Sequence, residues 1–494
     1  MKSHHYIACD LGAESGRVML GSLVDGKLDL EEMHRFPNGA VIVRNSMRWD
    51  VLKLFEELKV GLHKVASRGI TVASVSCDSW GVDYVLLKGD EPMLTAPFHY
   101  RDKRTDDALE RALSIVPAEE IFGETGIQFM SINTLYQLLA DLRDRSAVLD
   151  AADRFLNIGD YFNFLLCGKA RAEESLASTT QLFNPHLRRW SASLIERFGL
   201  PARIFPEVVQ SGTVLGPLLP VVSEETGLPG AQVVAGCSHD TGAAVAAVPA
   251  AGEGWAYLSS GTWSLVGVEN LKPIVTAKSR EYNFTNEIGY GGSIRFLKNN
   301  IGLWMVQECR RSWAKERKVY TYEQLMDMAE AASPHLSYID AEDPHFSKPG
   351  DMPSKIADYC RSTNQSVPST KGEVIRCVLE GLAILYRHTI DQLEELTGRE
   401  ITTLHIVGGG SKSRLLNQLT ADAIARTVQA GPVECSAIGN VLIQAITLGH
   451  VHSLKEAREI VRNSFPLVRY DPGDSLSREK EPVRGSHAST ERRT

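Results

Sequence analysis

The same succession of strands and helix begins twice in this sequence, once at Tyr6 and again near Gly254. The first pass gives three apolar strands, a helix with apolar residues at helical spacing, and a further strand. The second gives two strands around a Gly-Thr turn, a long amphipathic helix, and a strand that runs into three glycines. The repetition predicts an internally duplicated α/β fold in which two lobes enclose a cleft. The predicted elements are strands at 6–10, 16–24, 27–36, 71–78 and 401–410, a strand pair at 254–270, and helices at 50–69 and 372–398.

The length of the chain also favours two lobes, because 494 residues exceed what one hydrophobic core usually supports. The stretch VPAAGEG, at 248–254, is rich in proline and glycine and is typical of a connection between domains. We therefore predict an N-terminal lobe over 1–248 and a C-terminal lobe over 249–470. The remaining stretch, 471–494, has few apolar side chains, and we predict a disordered tail there.

Charge and composition exclude several classes of partner. A formal net charge of -8 and a pI near 6.0 argue against a nucleic-acid-binding surface, which normally carries a basic excess. We find no apolar run of about 18 residues and no signal-peptide pattern at the start, so we expect no membrane contact and a cytoplasmic location. Cys360 and Cys377 are the closest pair of cysteines in the sequence, and in a reducing cytosol we do not expect a disulfide between them.

A Gly- and Ser-rich turn follows the first predicted strand, in the stretch CDLGAESGR. Asp10 ends the strand, where a carboxylate suits a hydrated magnesium ion. Gly16 allows backbone N–H groups to converge on an anion, while Ser15 adds a hydroxyl donor and Arg17 a fixed positive charge. Taken alone, the stretch fits an ordinary hairpin turn equally well. A second such turn, at 259–262, occupies the corresponding place in the second half and favours a clamp on a triphosphate.

Three glycines at 408–410 end the last predicted strand and precede a helix-capping region at 411–413 and an amphipathic helix that runs to residue 428. Glycine there lets a flat ring or a phosphate approach the backbone, and the helix N-terminus favours negative charge. A dinucleotide-binding fingerprint is the weaker interpretation, because its third glycine is missing. The sequence contains no G-x-x-x-x-G-K-[ST] motif, which excludes a P-loop.

Asp240 stands at a strand-to-helix junction, in the stretch VVAGCSHDTGAAVAAV, and two roles are open to it. An acid at such a junction is often simply the N-cap of the helix. The chain also crosses between the predicted lobes near this point. A carboxylate facing the cleft would accept the proton of a substrate hydroxyl while the two phosphate turns hold the γ-phosphoryl group in line.

Aromatic and polar residues follow the strand at 71–78, in the stretch CDSWGVDYVLL. Trp80 and the neighbouring carboxylates of Asp78 and Asp83 suit a sugar ring, through contact with its C–H face and hydrogen bonds to its hydroxyls. A place in the core is equally open to Trp80. Farther along, Lys298 and Asn299 are predicted at the start of an amphipathic helix, with Gln307 on the same helix. A surface position is the plain expectation for these three residues.

Together these stretches resemble the FGGY carbohydrate kinases. DLGAESGR, SHDTGAA, YLSSGTWS and HIVGGGSKSRLLNQL occur in the order typical of that family, and the resemblance spans about residues 5–470. It implies the duplicated actin-like ATPase fold, which is ribonuclease H-like in both lobes, and a kinase that uses ATP with Mg²⁺. DSWGVDYVLL, YRDKRT and LKNNIGLWMVQE resemble in particular the bacterial members that act on L-rhamnulose.

The resemblance implies transfer to O1 of L-rhamnulose by a monomer or small homo-oligomer, with Asp240 as the general base and Asp10 associated with Mg²⁺. Including the residues already considered, the expected sugar contacts come from Trp80, Gly81, Asp83, His239, Asp240, Thr241 and Asn299. The expected ATP contacts come from Ala13, Glu14, Ser15, Gly16, Arg17, Thr262, Gln307, Gly409 and Gly410. Two alternatives stay open: a kinase for another ketose, such as L-fuculose or L-xylulose, and an actin-like ATPase that phosphorylates no sugar.

Overall fold

The protein contains two large sheets, one in each half of the chain. Its structure is a computed structural model that describes residues 3–89 and 91–473. The strands of the first half are β1 (Ser3–Leu11), β2 (Ser15–Val24), β3 (Lys27–Pro37), β4 (Ala40–Val43), β5 (Ser46–Trp49), β6 (Val72–Ser79), β7 (Tyr84–Leu87), β8 (Arg154–Asn157), β9 (Ala172–Glu173), β10 (Phe183–Asn184), β11 (Arg189–Trp190), β12 (Val208–Val209), β13 (Thr213–Pro217) and β14 (Gln232–Ala235). Its helices are α1 (Val51–Ala66), α2 (Ala108–Ile115), α3 (Ala118–Thr125), α4 (Thr134–Arg143), α5 (Ala147–Ala151), α6 (Ile158–Cys167), α7 (Glu174–Thr179), α8 (Ala192–Arg197), α9 (Pro220–Thr226) and α10 (Asp240–Ala246).

The second half has fewer strands and longer helices. Its strands are β15 (Trp255–Ser260), β16 (Trp263–Asn270), β17 (Thr285–Ile288), β18 (Ile294–Ile301), β19 (Thr403–Val407), β20 (Thr427–Ala430) and β21 (Val468–Tyr470). Its helices are α11 (Ala277–Glu281), α12 (Trp304–Lys315), α13 (Tyr322–Ala331), α14 (Met352–Ser362), α15 (Lys371–Thr397), α16 (Arg414–Ile424), α17 (Cys435–Thr447) and α18 (Leu454–Ser464). Most of the tail predicted at 471–494 lies outside the described residues, which end at residue 473.

The two sheets repeat one topology. The first has the order β13-β14-β6-β1-β2-β3, in which β1 is antiparallel to β2 and parallel to β6. The second has the order β17-β18-β16-β15-β19-β20-β21, in which β15 is antiparallel to β16 and parallel to β19. The series β3-β2-β1-β6-β14 and β18-β16-β15-β19-β20 therefore correspond strand for strand. The predicted duplication of an α/β unit is confirmed.

Two long helices illustrate why the sequence forms these elements. In α1, Leu54, Leu58 and Leu62 recur at helical spacing and are buried, and the Asp50 side chain accepts a hydrogen bond from the backbone of the first turn. The 27-residue helix α15 begins with a capping box and ends at Gly398, which has the left-handed φ of +66° that glycine adopts readily. Along the described chain, no helix is both long and apolar enough to cross a bilayer.

The stretch around Lys298 folds differently from the expectation. Lys298 and Asn299 lie in strand β18, and the helix that follows, α12, begins only at Trp304. Strand pairing makes this stretch a strand and not a helix, because β18 lies between β16 and β17 and forms antiparallel ladders with both. The expected surface position is also wrong, since only 8% of Lys298 and 9% of Gln307 are exposed.

The two cysteines singled out in the sequence lie on neighbouring helices of the second lobe. Cys360 on α14 and Cys377 on α15 are buried free thiols that contact each other. Ser337 Oγ lies 3.5 Å from Cys377 Sγ. The expectation that no disulfide forms here stays a prediction.

One helix of the second half completes the core of the first lobe. Helix α17 packs on β1 and β6, and Gln444 donates to the backbone oxygen of Ile7 at 3.0 Å. It also crosses α10 in backbone contact, at Gly439 and Ala243. The two lobes therefore share a hydrophobic core. The lobe boundary at 248–249 stays a prediction.

Candidate active site in the cleft

A cavity of about 1180 Å³ lies between the two sheets, a size suited to two small substrates side by side. Residues predicted for ATP and for the sugar line the same cavity: Ala13, Glu14, Ser15, Arg17, Trp80, Gly81, His239, Asp240, Thr241, Thr262, Asn299, Gln307, Gly409 and Gly410. Three predicted site residues, Asp10, Gly16 and Asp83, are not among the lining residues. The fold therefore brings together most of the residues that the sequence singled out from both halves of the chain.

The two predicted phosphate turns occupy matching positions at the ends of β1 and β15. In the first, the Gly12 N–H donates to the backbone oxygen of Ser15 at 3.0 Å, and in the second Gly261 N–H donates to that of Trp263 at 2.9 Å. Both turns point into the cavity, as a clamp on a triphosphate requires. Gly16 has a packing role, because a Cβ there would lie 2.3 Å from the ring of Phe36.

Acidic side chains gather at the carboxyl ends of the central strands. Asp10 and Asp78 are direct neighbours in the parallel pair β1–β6, and both are buried. Asn440 Nδ2 donates to Asp78 Oδ2 at 2.6 Å, whereas Asp78 Oδ1 has no hydrogen-bond partner among the described residues. Burial raises the pKa of Asp78 well above its usual value, and the charges of Asp10 and Asp240 raise it further. Sequence reasoning considered Asp78 only as a carboxylate beside Trp80 that could bind a sugar, although the Cys-Asp pair near the end of both strands was a usable signal for a shared acidic site.

These acids fit a hydrated magnesium ion. Mg²⁺ usually keeps several waters and binds through one or two carboxylates together with substrate phosphates. Asp78 offers an unpartnered buried oxygen next to Asp10, and a cation would relieve the repulsion between their charges. Among the described residues, no three His, Cys, Asp or Glu side chains converge closely enough to form a metal site by themselves. The residues suit an ion that depends on water and phosphate for its other ligands.

Arg17 connects the first phosphate turn to the second half of the chain. Its Nη2 donates to Asp10 Oδ2 at 2.8 Å, and its Nη1 pairs with Glu434. Glu434 precedes helix α17 and also lines the cavity. Sequence reasoning missed this glutamate, because nothing in its local pattern distinguishes it from a surface residue.

Asp240 is the first residue of α10, and 27% of its side-chain surface is exposed. His239 occupies the N-cap position, so the interpretation of Asp240 as an N-cap is wrong. The carboxylate accepts a hydrogen bond from the backbone of Thr241 at 2.6 Å. Burial raises the pKa of Asp240; His239 opposes the rise and Asp10 adds to it. A carboxylate with increased proton affinity at the cleft suits general-base chemistry.

Trp80 and Gly81 form one wall of the cavity, and Asp83 supports that wall from behind. Asp83 has no exposed surface, and its carboxylate accepts hydrogen bonds from Trp49 Nε1 at 2.6 Å, Trp80 Nε1 at 3.0 Å and Gln137 Nε2 at 2.8 Å. Burial raises the pKa of Asp83 to about 6, although these donors lower it. The geometry gives Asp83 the task of fixing the tryptophans, and a direct sugar contact by this residue stays a prediction.

Asn299, which also lines the cavity, is held by a residue that sequence reasoning missed. Gln128 Oε1 accepts from the backbone N–H of Asn299 at 2.9 Å and from its Nδ2 at 3.1 Å, while Gln128 Nε2 donates to the backbone oxygen of Asn299 at 3.1 Å. Gln128 is 5% exposed and lines the cavity. These bonds cross from the first half of the chain to the second and fix the orientation of Asn299 towards the cavity.

Two family models match this chain. The N-terminal domain of the FGGY family of carbohydrate kinases matches residues 5–247, and the C-terminal domain of that family matches residues 256–448. Together the two matches cover most of the chain, including both phosphate turns and the acidic cluster.

Individual relatives extend over nearly the full chain. A rhamnulokinase of Bacteroides thetaiotaomicron is 44% identical over 470 residues, which is 95% of this chain and 96% of that protein. A rhamnulokinase of Enterococcus faecalis is 42% identical over 475 residues, which is 95% of both chains. The crystal structure of ligand-bound xylulose kinase from Lactobacillus acidophilus superimposes with a TM-score of 0.78 at 16% identity, covering 95% of this chain and 94% of that one. The last similarity concerns the fold alone.

Proposed function

This chain belongs to the FGGY family of carbohydrate kinases, with the duplicated actin-like ATPase fold, and we propose that it transfers the γ-phosphoryl group of ATP to O1 of L-rhamnulose. The observation that carries the proposal is that Asp240 lines the same cavity as both predicted phosphate turns and Trp80. The choice of sugar is supported by the rhamnulokinases that are similar over most of the chain.

In this reaction Asp240 accepts the proton of the O1 hydroxyl as the oxygen attacks the γ-phosphorus. Phosphoryl transfer requires little further covalent chemistry from a protein, so positioning and charge stabilisation account for most of the acceleration. Asp10 and Asp78 would hold Mg²⁺, which would neutralise charge on the phosphate oxygens. Closure of the two lobes around bound substrates would exclude water that otherwise hydrolyses ATP.

The second half of the chain provides the nucleotide side of the cleft. Gln307 Nε2 donates to Thr262 Oγ1 at 3.1 Å, which links helix α12 to the second phosphate turn. A Cβ at Gly410 would lie 1.9 Å from Ser260 Oγ, so only glycine permits the backbone to pass this close to the turn. Gly409 has open space around it, which leaves its backbone accessible to a nucleotide.

A single chain contributes both walls of the cleft, and we therefore propose that the monomer is the catalytic unit. This holds whether the protein is a monomer or a small homo-oligomer. We place the reaction in the cytoplasm, where ATP, the phosphoryl donor, is supplied. L-rhamnulose and MgATP are the partners that the proposal requires.

A coupled ADP-release assay with MgATP tests the function. The panel contains L-rhamnulose, L-fuculose, L-xylulose, D-xylulose and glycerol, and we expect the largest kcat/KM for L-rhamnulose. Preference for another ketose would refute the substrate while leaving the kinase intact. ATP hydrolysis that no sugar stimulates would favour an ATPase that phosphorylates no sugar.

We expect Gln128→Leu to raise the KM for the sugar about tenfold with little change in the KM for ATP. The substitution removes three hydrogen bonds to Asn299, and losing bonds at a site of substrate contact typically costs about 1 kcal/mol or more. Gln128→Glu is the matched control, because its carboxylate keeps the two acceptor bonds and should lose less. Equal changes in both KM values would mean that Gln128 supports the fold and does not position Asn299.

A further inference from the structure

An ion pair buried in the second lobe stands directly behind His239. Glu287 on β17 and Arg295 on β18 are partners in the antiparallel ladder, and Arg295 Nη1 lies 3.0 Å from Glu287 Oε2. Arg295 has no exposed surface and Glu287 has only 4%. Buried charges are costly to hold, and nothing in the transfer chemistry above accounts for this pair.

Arg295 also contacts the ring of His239. Its Nη2 lies 3.1 Å from His239 Nδ1, and its Nε donates to the backbone oxygen of Ile288 at 3.2 Å. A guanidinium has only donors and does not lose its proton in proteins. Nδ1 therefore has to accept, which leaves the ring proton of the neutral imidazole on Nε2.

Glu287 competes only weakly for the same nitrogen. Its Oε2 lies 3.4 Å from His239 Nδ1, whereas Arg295 Nη2 lies closer to that nitrogen, at 3.1 Å. Burial raises the pKa of Glu287, but Arg295, with help from His239 and Asn299, lowers it to about 2. The carboxylate is therefore ionised and compensates the charge of the guanidinium.

The Nε2 side of the ring faces the cleft. Nε2 lies 3.4 Å from Asp240 Oδ1, and His239 lines the cavity. The backbone N–H of His239 donates to Ser175 Oγ at 3.1 Å, which fixes the residue from the first-lobe side. A proton on Nε2 therefore points at the proposed general base and at any substrate oxygen bound next to it.

We propose that Arg295 is a positioning residue for the transfer, which fixes His239 in the Nε2–H tautomer and keeps that proton aimed at Asp240 and the sugar. Glu287 holds the guanidinium in place through its ion pair. This inference rests on the proposed function, because it gives His239 a part in the sugar site. The second lobe thereby sets the hydrogen-bonding state of a residue that the first half of the chain contributes.

The nitrogen-15 chemical shifts of the His239 imidazole report the tautomer directly. They are measured on the full chain without substrate, and the signals of His239 are identified by their loss in the variant His239→Gln. We expect a protonated Nε2 and an unprotonated Nδ1 in the unaltered protein. In the variant Arg295→Met with Glu287→Gln, which leaves no unpaired buried charge, we expect the Nδ1–H form to appear. A proton on Nδ1 in the unaltered protein, or an unchanged ring in the variant, would overturn the inference.

Kinetics give a second readout with its own control. The same double variant is expected to lower kcat about tenfold to a hundredfold, the loss typical of a hydrogen bond to a charged group, with the KM for ATP unchanged. In a His239→Gln background the two changes should cost nothing further, because an amide has no tautomer to fix. Equal losses in both backgrounds would refute the proposal. A chain that phosphorylates no sugar would refute the proposed function, while the ring shifts still decide the tautomer.

Discussion

Asp240→Asn is expected to lower kcat about a hundredfold to ten-thousandfold, the usual contribution of a general base. The amide of asparagine does not accept the proton of the sugar hydroxyl. It matches the carboxylate in size and keeps an oxygen that accepts the hydrogen bond from the backbone N–H of Thr241. ATP binding is expected to be unchanged, because the two phosphate turns lie on other elements. A coupled ADP-release assay and an equilibrium titration with ATP measure the two effects separately.

Asp391→Asn is the matched control for this substitution. Asp391 is an exposed residue of α15, outside the cleft, so the same loss of charge there should leave turnover unchanged. Near-native turnover of Asp240→Asn would show that another group takes the proton. Loss of ATP binding in that variant would instead mean that Asp240 supports the nucleotide or its metal ion.

Gly439→Ala is expected to destabilise the protein by about 3 kcal/mol, at the upper end of the range for overpacking a core. A Cβ at Gly439 would lie 1.8 Å from the backbone oxygen of Ala243, where α17 crosses α10. Backbone does not move aside as a flexible side chain does, so the two helices have to separate. Since α17 also packs on the first sheet, the disturbance reaches the core that both lobes share. The denaturant midpoint and the thermal midpoint measure the loss.

Gly123→Ala provides the comparison for this effect. Gly123 lies in helix α3 with nothing within 4 Å of a Cβ added to it. Alanine at such a position stabilises a helix by up to about 1 kcal/mol relative to glycine, so this variant should be unchanged or slightly more stable. Equal stability of Gly439→Ala and the unaltered protein would mean that the helices separate at little cost, and that the close crossing does not hold the lobes together.

The sequence by itself determined the duplicated frame and the position of the two turns that are predicted to bind phosphate. Both follow from local patterns: apolar periodicity marks the strands and helices, and glycine permits the turns of 12–16 and 261–262. Asp240 could be singled out for the same reason, because it stands where an apolar strand gives way to a helix of small residues. The exception was β18, where pairing with β16 and β17 outweighed the local helical pattern.

Only the tertiary structure decided which polar residues share the cleft. The pairing of β1 with β6 brings Asp78 beside Asp10, and the β17–β18 ladder places Arg295 behind His239. Gln128 meets Asn299 from 171 positions away in the chain. Arg295 and Gln128 carry no local signal, because a buried arginine or glutamine has the same kinds of neighbours in sequence as an exposed one. The elements follow from interactions between residues close in the chain, whereas the chemistry of the site depends on contacts that exist only once the sheets have formed and the lobes have packed around α10 and α17.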